Sequence, residues 1–314
     1  MRVYFTFIPR DHLRLPLIEE FPNVHFVFAS SLDVEELKKA DVLVTYGEDL
    51  NEENITFAER LQWIFVASAG IEKIPAKSIA AKNIVVSNVR GIHKTPMAES
   101  ILAHILAEKR ALPWIYKHQE KGEWSRKARL TELNGSTAVI IGPGAIGSEV
   151  GRLLQAFGVT TIGCNRSGHI AAYMDEMVQI DDLLSVLPRA DIVLTMLPAT
   201  TETTHFIRQE HFEAMKDTAM FMNFGRGNVV ATNVLVQALQ ERLIWRAVLD
   251  VFEEEPIPAD HILWKLDNVT ISPHVSSFSS RYVERALELF KPSLVKWMNG
   301  KQDLVNKMDV LRGY

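Results

Sequence analysis

The sequence has a single cysteine, Cys164, among 314 residues. An intrachain disulfide is therefore excluded, and a reducing compartment is expected. Long apolar runs are missing as well. No stretch approaches the roughly 20 residues that a membrane-spanning helix needs. The opening MRVYFTFIPRDHL breaks at Pro9-Arg10-Asp11, too soon for a secretory leader, and reads as a first strand. Basic charge is not in excess: 34 Lys and Arg stand against 39 Asp and Glu, a formal net charge of −5. That balance offers no broad basic surface to nucleic acid or to an anionic membrane. The short run Arg126-Lys127-Ala128-Arg129 reads as solvated surface. There are no repeats and no low-complexity segments. No group of His, Cys and carboxylates has metal-ligand spacing, so no metal is expected. What these absences leave is a cytoplasmic globular protein, and its length makes two domains the prior.

What is present centres on residues 137–151, TAVIIGPGAIGSEVG. The apolar run Ala138-Val139-Ile140-Ile141 fits a buried parallel strand. It leads directly into Gly142-Pro143-Gly144-Ala145-Ile146-Gly147 and then into a helical pattern with Val150, Leu153, Leu154 and Phe157 on one face. Strand, glycine turn and helix form the context in which G-x-G-x-x-G signals a dinucleotide site. Gly142 permits the tight turn, Gly144 lets a pyrophosphate approach the backbone, and Gly147 lets the helix sit close on the sheet. The N–H groups that open the helix, at Ala145 and Ile146, then face the phosphates.

The flanking sequence alternates. Before it, residues 2–8, 24–28, 41–46, 63–67 and 84–87 read as strands, and 16–21, 33–39 and 78–82 as short helices. Residues 97–110 form a strong helix with Ile101, Leu102, Ile105 and Leu106 on its apolar stripe, and Pro113 is predicted to end it and start a second piece over 114–121. After the glycine turn, strands are predicted over 159–164, 191–197, 219–224, 245–251 and 269–272, with helices over 180–187, 209–215 and 233–240. A last helix over 281–297 is predicted to run past Pro292 and return to the first domain. Such alternation implies two parallel α/β units.

Chemistry-bearing residues stand at the predicted strand ends, where ligands of such sheets bind. The strand after the glycine turn ends Asn165-Arg166-Ser167, where a carboxylate gripping the NAD ribose is usual. An arginine fork and a serine hydroxyl suit a 2′-phosphate, so NADP(H) is predicted over NAD(H), the rival reading being a surface arginine with no selectivity. Further on come Asn223-Phe224-Gly225-Arg226-Gly227, then Asp250-Val251-Phe252-Glu253-Glu254-Glu255-Pro256, then Ser272-Pro273-His274. Arg226 between glycines can hold a carboxylate or can pair with the acidic run. The three glutamates can be a solvated turn, and His274 is a candidate acid/base.

Taken together, GPGAIG, NFGRG, DVFEEEP and SPH resemble the D-isomer-specific 2-hydroxyacid dehydrogenase family, with glyoxylate/hydroxypyruvate reductase-like members nearest in pattern. Ala67-Ser68-Ala69-Gly70-Ile71 is similar to the family's substrate turn, and Leu197-Pro198-Ala199-Thr200-Thr201-Glu202-Thr203-Thr204 to its loop beside the cofactor. Residues 257–264 resemble the stretch that brings a tryptophan, here Trp264, to the site, and the closing Arg312-Gly313-Tyr314 also matches. The resemblance implies a flavodoxin-like substrate domain over 1–96 plus 284–314 and a doubly wound dinucleotide-binding domain over 97–283. It implies hydride transfer between nicotinamide and a small 2-oxo acid. By position, Arg226 would hold the substrate and His274 would be the acid/base. Glu255, rather than Glu253 or Glu254, would pair with His274. Asp250, Leu197, Pro198 and Thr203 would line the cofactor, and Ala69, Gly70 and Trp264 the substrate. A carboxylate beside a histidine favours imidazolium, which suits proton donation to a carbonyl oxygen as negative charge builds there. Glu255 before Pro256 argues against a formate dehydrogenase, which has glutamine there.

Other residues have plainer readings. His93 and Lys94 read as hinge hydrogen bonding, His104 as packed, and Cys164 as buried and inert; Tyr46 fits either packing or the substrate mouth. Members of the family are commonly dimers, and Trp114, Ile115, Tyr116 and Trp124 fit such an interface or ordinary core. Rival functions are a dinucleotide-sensing interaction protein on the same fold, or a dehydrogenase of another small anion or a larger 2-oxo acid.

Overall fold

The computed structural model describes residues 1–68, 70 and 74–311. Its chain divides into two compact units, Met1–Ile92 with Ser279–Tyr314, and His93–Phe278. The divisions thus fall a few residues before the positions 96 and 284 read from the sequence.

The first unit begins β1 (Arg2–Phe5), α1 (Asp11–Glu20), β2 (His25–Phe28), α2 (Val34–Leu37), β3 (Val42–Thr45), β4 (Trp63–Val66), α3 (Ala76–Ala81) and β5 (Val85–Asn88). The strands run parallel in the order β2-β1-β3-β4-β5, the flavodoxin-like order. Along β1, Val3 and Phe5 enter one buried cluster and Tyr4 the other, so both faces of the sheet are covered. The first helix corrects the sequence reading. It starts at Asp11, not near Pro16, and carries that proline inside it.

The second unit holds α4 (Lys94–Lys109), α5 (Leu112–Glu120), β6 (Thr137–Ile141), α6 (Ala145–Ala156), β7 (Thr160–Asn165), β8 (Glu176–Gln179), α7 (Leu183–Val186), β9 (Ile192–Thr195), α8 (Gln209–Ala214), β10 (Met220–Asn223), α9 (Thr232–Gln240), β11 (Arg246–Leu249) and β12 (Val269–Ile271). Its strand order is β8-β7-β6-β9-β10-β11-β12, all parallel, which is the doubly wound order with its reversal between β6 and β9. Val139 and Ile141 pack on one face and Ala138 and Ile140 on the other. Between α4 and α5 the chain turns at Ala111, φ +51°, and Pro113 sits in the first turn of α5, where its missing N–H is not needed. Two predictions fail here. Residues 180–187 make only a single short α-helical turn, Leu183–Val186, between 3-10 turns, and β8 was not foreseen.

The chain ends with α10 (Tyr282–Met298) and β13 (Lys307–Met308), both within the first unit. The helix passes through Pro292 without ending. Phe290 is fully buried, its ring 5.6 Å from Phe5 and 5.4 Å from Trp63. Burying a side chain of that size contributes about 1.5–3 kcal/mol, which fixes the returning helix on the first sheet. β13 then pairs antiparallel with β5, an edge that the sequence did not reveal. No helix of the described residues is long and apolar enough to cross a membrane.

Candidate active site

All the strands of the second unit point the same way, so their carboxyl ends form one edge. At its reversal point, the loops after β6 and β9 meet. Gly142 has φ +84°, and a Cβ there would lie 3.3 Å from Leu197 and from the Met196 carbonyl. Only glycine accepts both the left-handed backbone and that approach. Gly147 packs just as closely, with a notional Cβ 3.0 Å from Ile140 and 3.1 Å from the Gly142 oxygen. At Gly144, by contrast, a Cβ would meet nothing within 4 Å. That open backbone, and an α6 N-terminus that no side chain caps, leave the N–H groups of Ala145 and Ile146 for an anion. The residues present fit a dinucleotide pyrophosphate.

At the end of β7, the Asn165 side chain works inside its own turn. Its amide donates to the His169 carbonyl at 2.9 Å, and its oxygen accepts the Ser167 N–H at 3.1 Å. Asn165 therefore shapes the turn that presents Arg166 and Ser167. Among the described residues Arg166 makes no ion pair and no hydrogen bond. Its charge does reach the neighbouring loop. The Thr200 hydroxyl first, then the Glu202 backbone N–H and the positive Arg166, hold the Glu202 carboxyl below its usual range. In that loop Thr203 is also occupied locally: its hydroxyl donates to the Pro198 carbonyl at 2.6 Å and accepts the Thr200 N–H at 2.8 Å.

The ends of β10 and β11 and the loop after β12 build a cavity of about 300 Å3 lined by Arg226, Gly227, Asn228, Val251, Phe252, Glu253, Glu255 and His274. Asn223 sets the Arg226 loop, accepting the Gly225 N–H at 3.2 Å and donating to the Arg226 carbonyl at 3.0 Å. The Arg226 guanidinium donates to the Gly225 carbonyl at 2.9 Å and makes no ion pair among the described residues. Its charge is available to an anion. The acidic run, which could have neutralised it, is directed at histidines instead. His274 Nδ1 lies 2.7 Å from Glu255 Oε2, and Glu255 Oε1 accepts the Phe252 N–H at 2.8 Å. With Nδ1 engaged, His274 Nε2 is the nitrogen left to exchange a proton with a ligand.

Asp250 is 1% exposed and has both oxygens occupied. It accepts the Val275 N–H at 3.1 Å, the Ser276 N–H at 3.3 Å and the hydroxyls of Ser272 and Ser276. These bonds hold His274 in a left-handed conformation, φ +54°, that a non-glycine residue adopts only when its surroundings impose it. The sequence pointed to Asp250 as a cofactor contact; its contacts in the structure are with the loop that carries the histidine. The roles of Ser272 and Ser276 were not foreseen, because their partner Asp250 is 22 and 26 residues away; that of Asn223 was not read although its partners lie two and three residues on.

The remaining candidates are placed as follows. Trp264 is about half exposed, donates to the Pro258 carbonyl at 3.0 Å and does not line the Arg226 cavity. In the first unit, the Gly70 carbonyl accepts the Ser68 hydroxyl at 2.8 Å. Ala69 and the closing Arg312-Gly313-Tyr314 lie outside the described residues. Tyr46 packs against Phe7, ring centroids 4.6 Å apart, with Tyr282 at 6.3 Å. His104 lies beside the Phe224 ring, and burial holds its imidazole below the usual range. Cys164 is fully buried, and burial pushes its thiol up to about 12.

A phosphate-accepting glycine turn at the reversal point of a doubly wound sheet, beside an Arg, His and Glu cavity, defines a dinucleotide-dependent oxidoreductase. Comparison with known proteins agrees. The family model described as D-isomer specific 2-hydroxyacid dehydrogenase, NAD binding domain, matches residues 102–276. A glyoxylate reductase from Pyrococcus furiosus is 32% identical over 87% of this chain and 84% of its own length. A D-3-phosphoglycerate dehydrogenase from Methanocaldococcus jannaschii is 33% identical over 88% of this chain, which spans only 54% of that protein. A crystal structure of a D-isomer specific 2-hydroxyacid dehydrogenase family protein from Aeromonas salmonicida has a TM-score of 0.84 at 29% identity, covering 98% of this chain and 99% of its own. The chain belongs to the D-isomer specific 2-hydroxyacid dehydrogenase family. It is an oxidoreductase of that class and uses a nicotinamide cofactor.

Proposed function

We propose that the protein reduces small 2-oxo acids of the glyoxylate or hydroxypyruvate type to D-2-hydroxy acids, with NADP(H) preferred over NAD(H). The observation that carries this reading is the single cavity into which Arg226, Glu255 and His274 converge. The bound nicotinamide supplies hydride to the carbonyl carbon. Everything else falls to the chain. Arg226 holds the substrate by its carboxylate and carbonyl oxygen, which orients the carbonyl and stabilises charge developing on its oxygen. His274 delivers a proton to that oxygen from Nε2, and in the reverse direction takes it back. Glu255 fixes the tautomer by holding Nδ1, and Asp250 fixes the loop. Trp264 is carried as a further substrate contact on the family resemblance alone, since it stands outside the lining of the Arg226 cavity.

The cofactor preference is supported by Asn165-Arg166-Ser167, which puts a free guanidinium where NAD-binding chains carry a carboxylate. The small substrate is supported by the glyoxylate reductases among the similar proteins. A cytoplasmic setting fits the buried, unpaired Cys164. We also read the protein as a homodimer. Helix α5 has no buried residue, and Tyr116 and Trp124 are 56% and 92% exposed, so this segment carries an apolar surface that the described residues leave open.

Loss of absorbance at 340 nm with glyoxylate, hydroxypyruvate, pyruvate and phenylpyruvate, each with NADPH and NADH, tests the reading. Rapid NADPH oxidation with glyoxylate and hydroxypyruvate is expected. Activity with NADH alone overturns the cofactor assignment. Silence across the panel overturns the substrate assignment.

A further inference from the structure

The acidic turn carries a second histidine–carboxylate pair. Glu255 takes His274, and Glu253, two residues earlier, takes His205: Nε2 lies 2.7 Å from Oε1. The other oxygen of Glu253 accepts the Thr232 N–H at the start of α9. His205 belongs to the loop after β9. Its own N–H donates to the Asn228 carbonyl at 2.7 Å, and the Asn228 amide donates to the Thr204 hydroxyl at 3.1 Å. Asn228 follows Arg226 by two residues. Residue 205, in the loop beside the cofactor turn, therefore reaches two others: its imidazole the turn that bears Glu255, and its backbone N–H the loop that bears Arg226.

Two further observations set this pair apart from an ordinary surface contact. His205 adopts φ +52°, a left-handed backbone that costs a non-glycine residue free energy. The Arg226 loop and the 252–255 turn also meet backbone to backbone. A Cβ at Gly227 would lie 1.9 Å from the Phe252 carbonyl, so any shift of that turn moves against the substrate-binding loop. Glu253 lines the same cavity as Arg226, Glu255 and His274. A half-exposed pair of this kind adds little to stability. Its geometry instead constrains where Glu255 sits.

We propose that His205 and Glu253 are positioning residues: they hold the 252–255 turn against the Arg226 loop and so keep the Glu255–His274 pair in register for proton transfer. The proposal rests on the dehydrogenase reading of this cavity. The charged and titratable groups around the pair are Glu255, His274 and Arg226, together with Asp250 behind the His274 loop.

The test uses His205→Gly, Glu253→Gln and the double variant in the whole protein. His205→Gly relieves the backbone while removing the imidazole, so a purely structural role leaves it as active as wild type. A positioning role lowers its kcat about five- to twenty-fold, in line with the sensitivity of catalysis to sub-ångström misplacement. Dinucleotide Kd and melting temperature stay close to wild type, and the double variant is no worse than the more damaged single one. A second readout does not need turnover. The downfield proton resonance of the His274 Nδ1–Glu255 hydrogen bond, assigned by its loss in Glu255→Gln, exchanges with water several-fold faster in both single variants. Unchanged kcat, multiplicative losses, a loss confined to dinucleotide binding, or unchanged exchange of that proton each overturns the proposal. Silence of the wild type on the 2-oxo acid panel instead refutes the substrate assignment, and proton exchange still decides the role of the pair.

Discussion

Glu255 holds His274 with one carboxylate oxygen, 2.7 Å from Nδ1, while its other oxygen accepts the Phe252 N–H of its own turn at 2.8 Å. The carboxylate is thus fixed by its turn before it acts on the imidazole. Glu255→Gln keeps a hydrogen-bonding side chain of the same size and removes the charge. Its kcat for 2-oxo acid reduction is expected to fall on the order of ten- to a hundred-fold. Full activity would remove Glu255 from the acid/base pair.

Arg226 has an uncompensated charge among the described residues, and its loop is set by Asn223. Arg226→Lys keeps the charge but loses the planar fork that engages a carboxylate and a carbonyl oxygen together. Both KM and kcat should suffer, with kcat/KM falling roughly a hundred-fold, about 2.7 kcal/mol of transition-state stabilisation. NADPH binding, measured by quenching of protein fluorescence, should hold. Wild-type kinetics would show that the carboxylate is held elsewhere.

How far the sequence spoke depended on how local each signal was. The β6–α6 turn was legible because strand, glycines and helix lie within about fifteen residues; Gly142 and Gly147 are sterically required, and Gly144 leaves the backbone open to a ligand. Arg226 and His274 could each be read as candidates from their places at predicted strand ends, but Glu255 and the grouping of the three came through resemblance, since their motifs are dispersed along the chain. β8 was missed because Glu176–Gln179 is a half-exposed edge strand with only Met177 and Val178 as apolar signal. α1 was misread because Pro16 suggested a start, whereas it lies inside the helix. His205 gave no signal at all: its partner Glu253 is 48 residues away and sits in a run of three glutamates that reads as solvated. Asn165 was legible by position but not by role, since its side chain is used inside the turn.

The same turn yields a cofactor prediction. Arg166→Ala should raise the KM for NADPH roughly ten-fold or more while leaving NADH almost untouched, because only the 2′-phosphate distinguishes the two and a charged hydrogen bond contributes about 1.5–3 kcal/mol. Glu202→Gln should act in the opposite direction. It removes a carboxylate that feels the Arg166 charge. Parallel losses for both dinucleotides in Arg166→Ala would mean that the guanidinium acts on the fold of the turn.

Acid should weaken the second unit through Asp191. Burial alone would raise this carboxyl, but the Lys216 ammonium and the Thr137 N–H, each at 2.8 Å, outweigh burial and leave it lowered from its ordinary 3.8. A carboxyl lowered on folding contributes stability that is complete above the unfolded-state value and is lost as pH falls through the folded-state value. In that window the unfolded chain binds the extra proton. Glu253 has the same sign, its hydrogen bonds from Thr232 and His205 prevailing over burial. Asp191→Asn should therefore cost roughly 1.5–3 kcal/mol at neutral pH, the range for hydrogen bonds to a charged group. The difference from wild type should shrink as pH falls below about 4 and the wild-type carboxylate is protonated. Urea denaturation followed by circular dichroism across that range measures it. Curves for the two proteins that stay parallel at every pH would show that the Lys216–Asp191 pair does not couple folding to protonation.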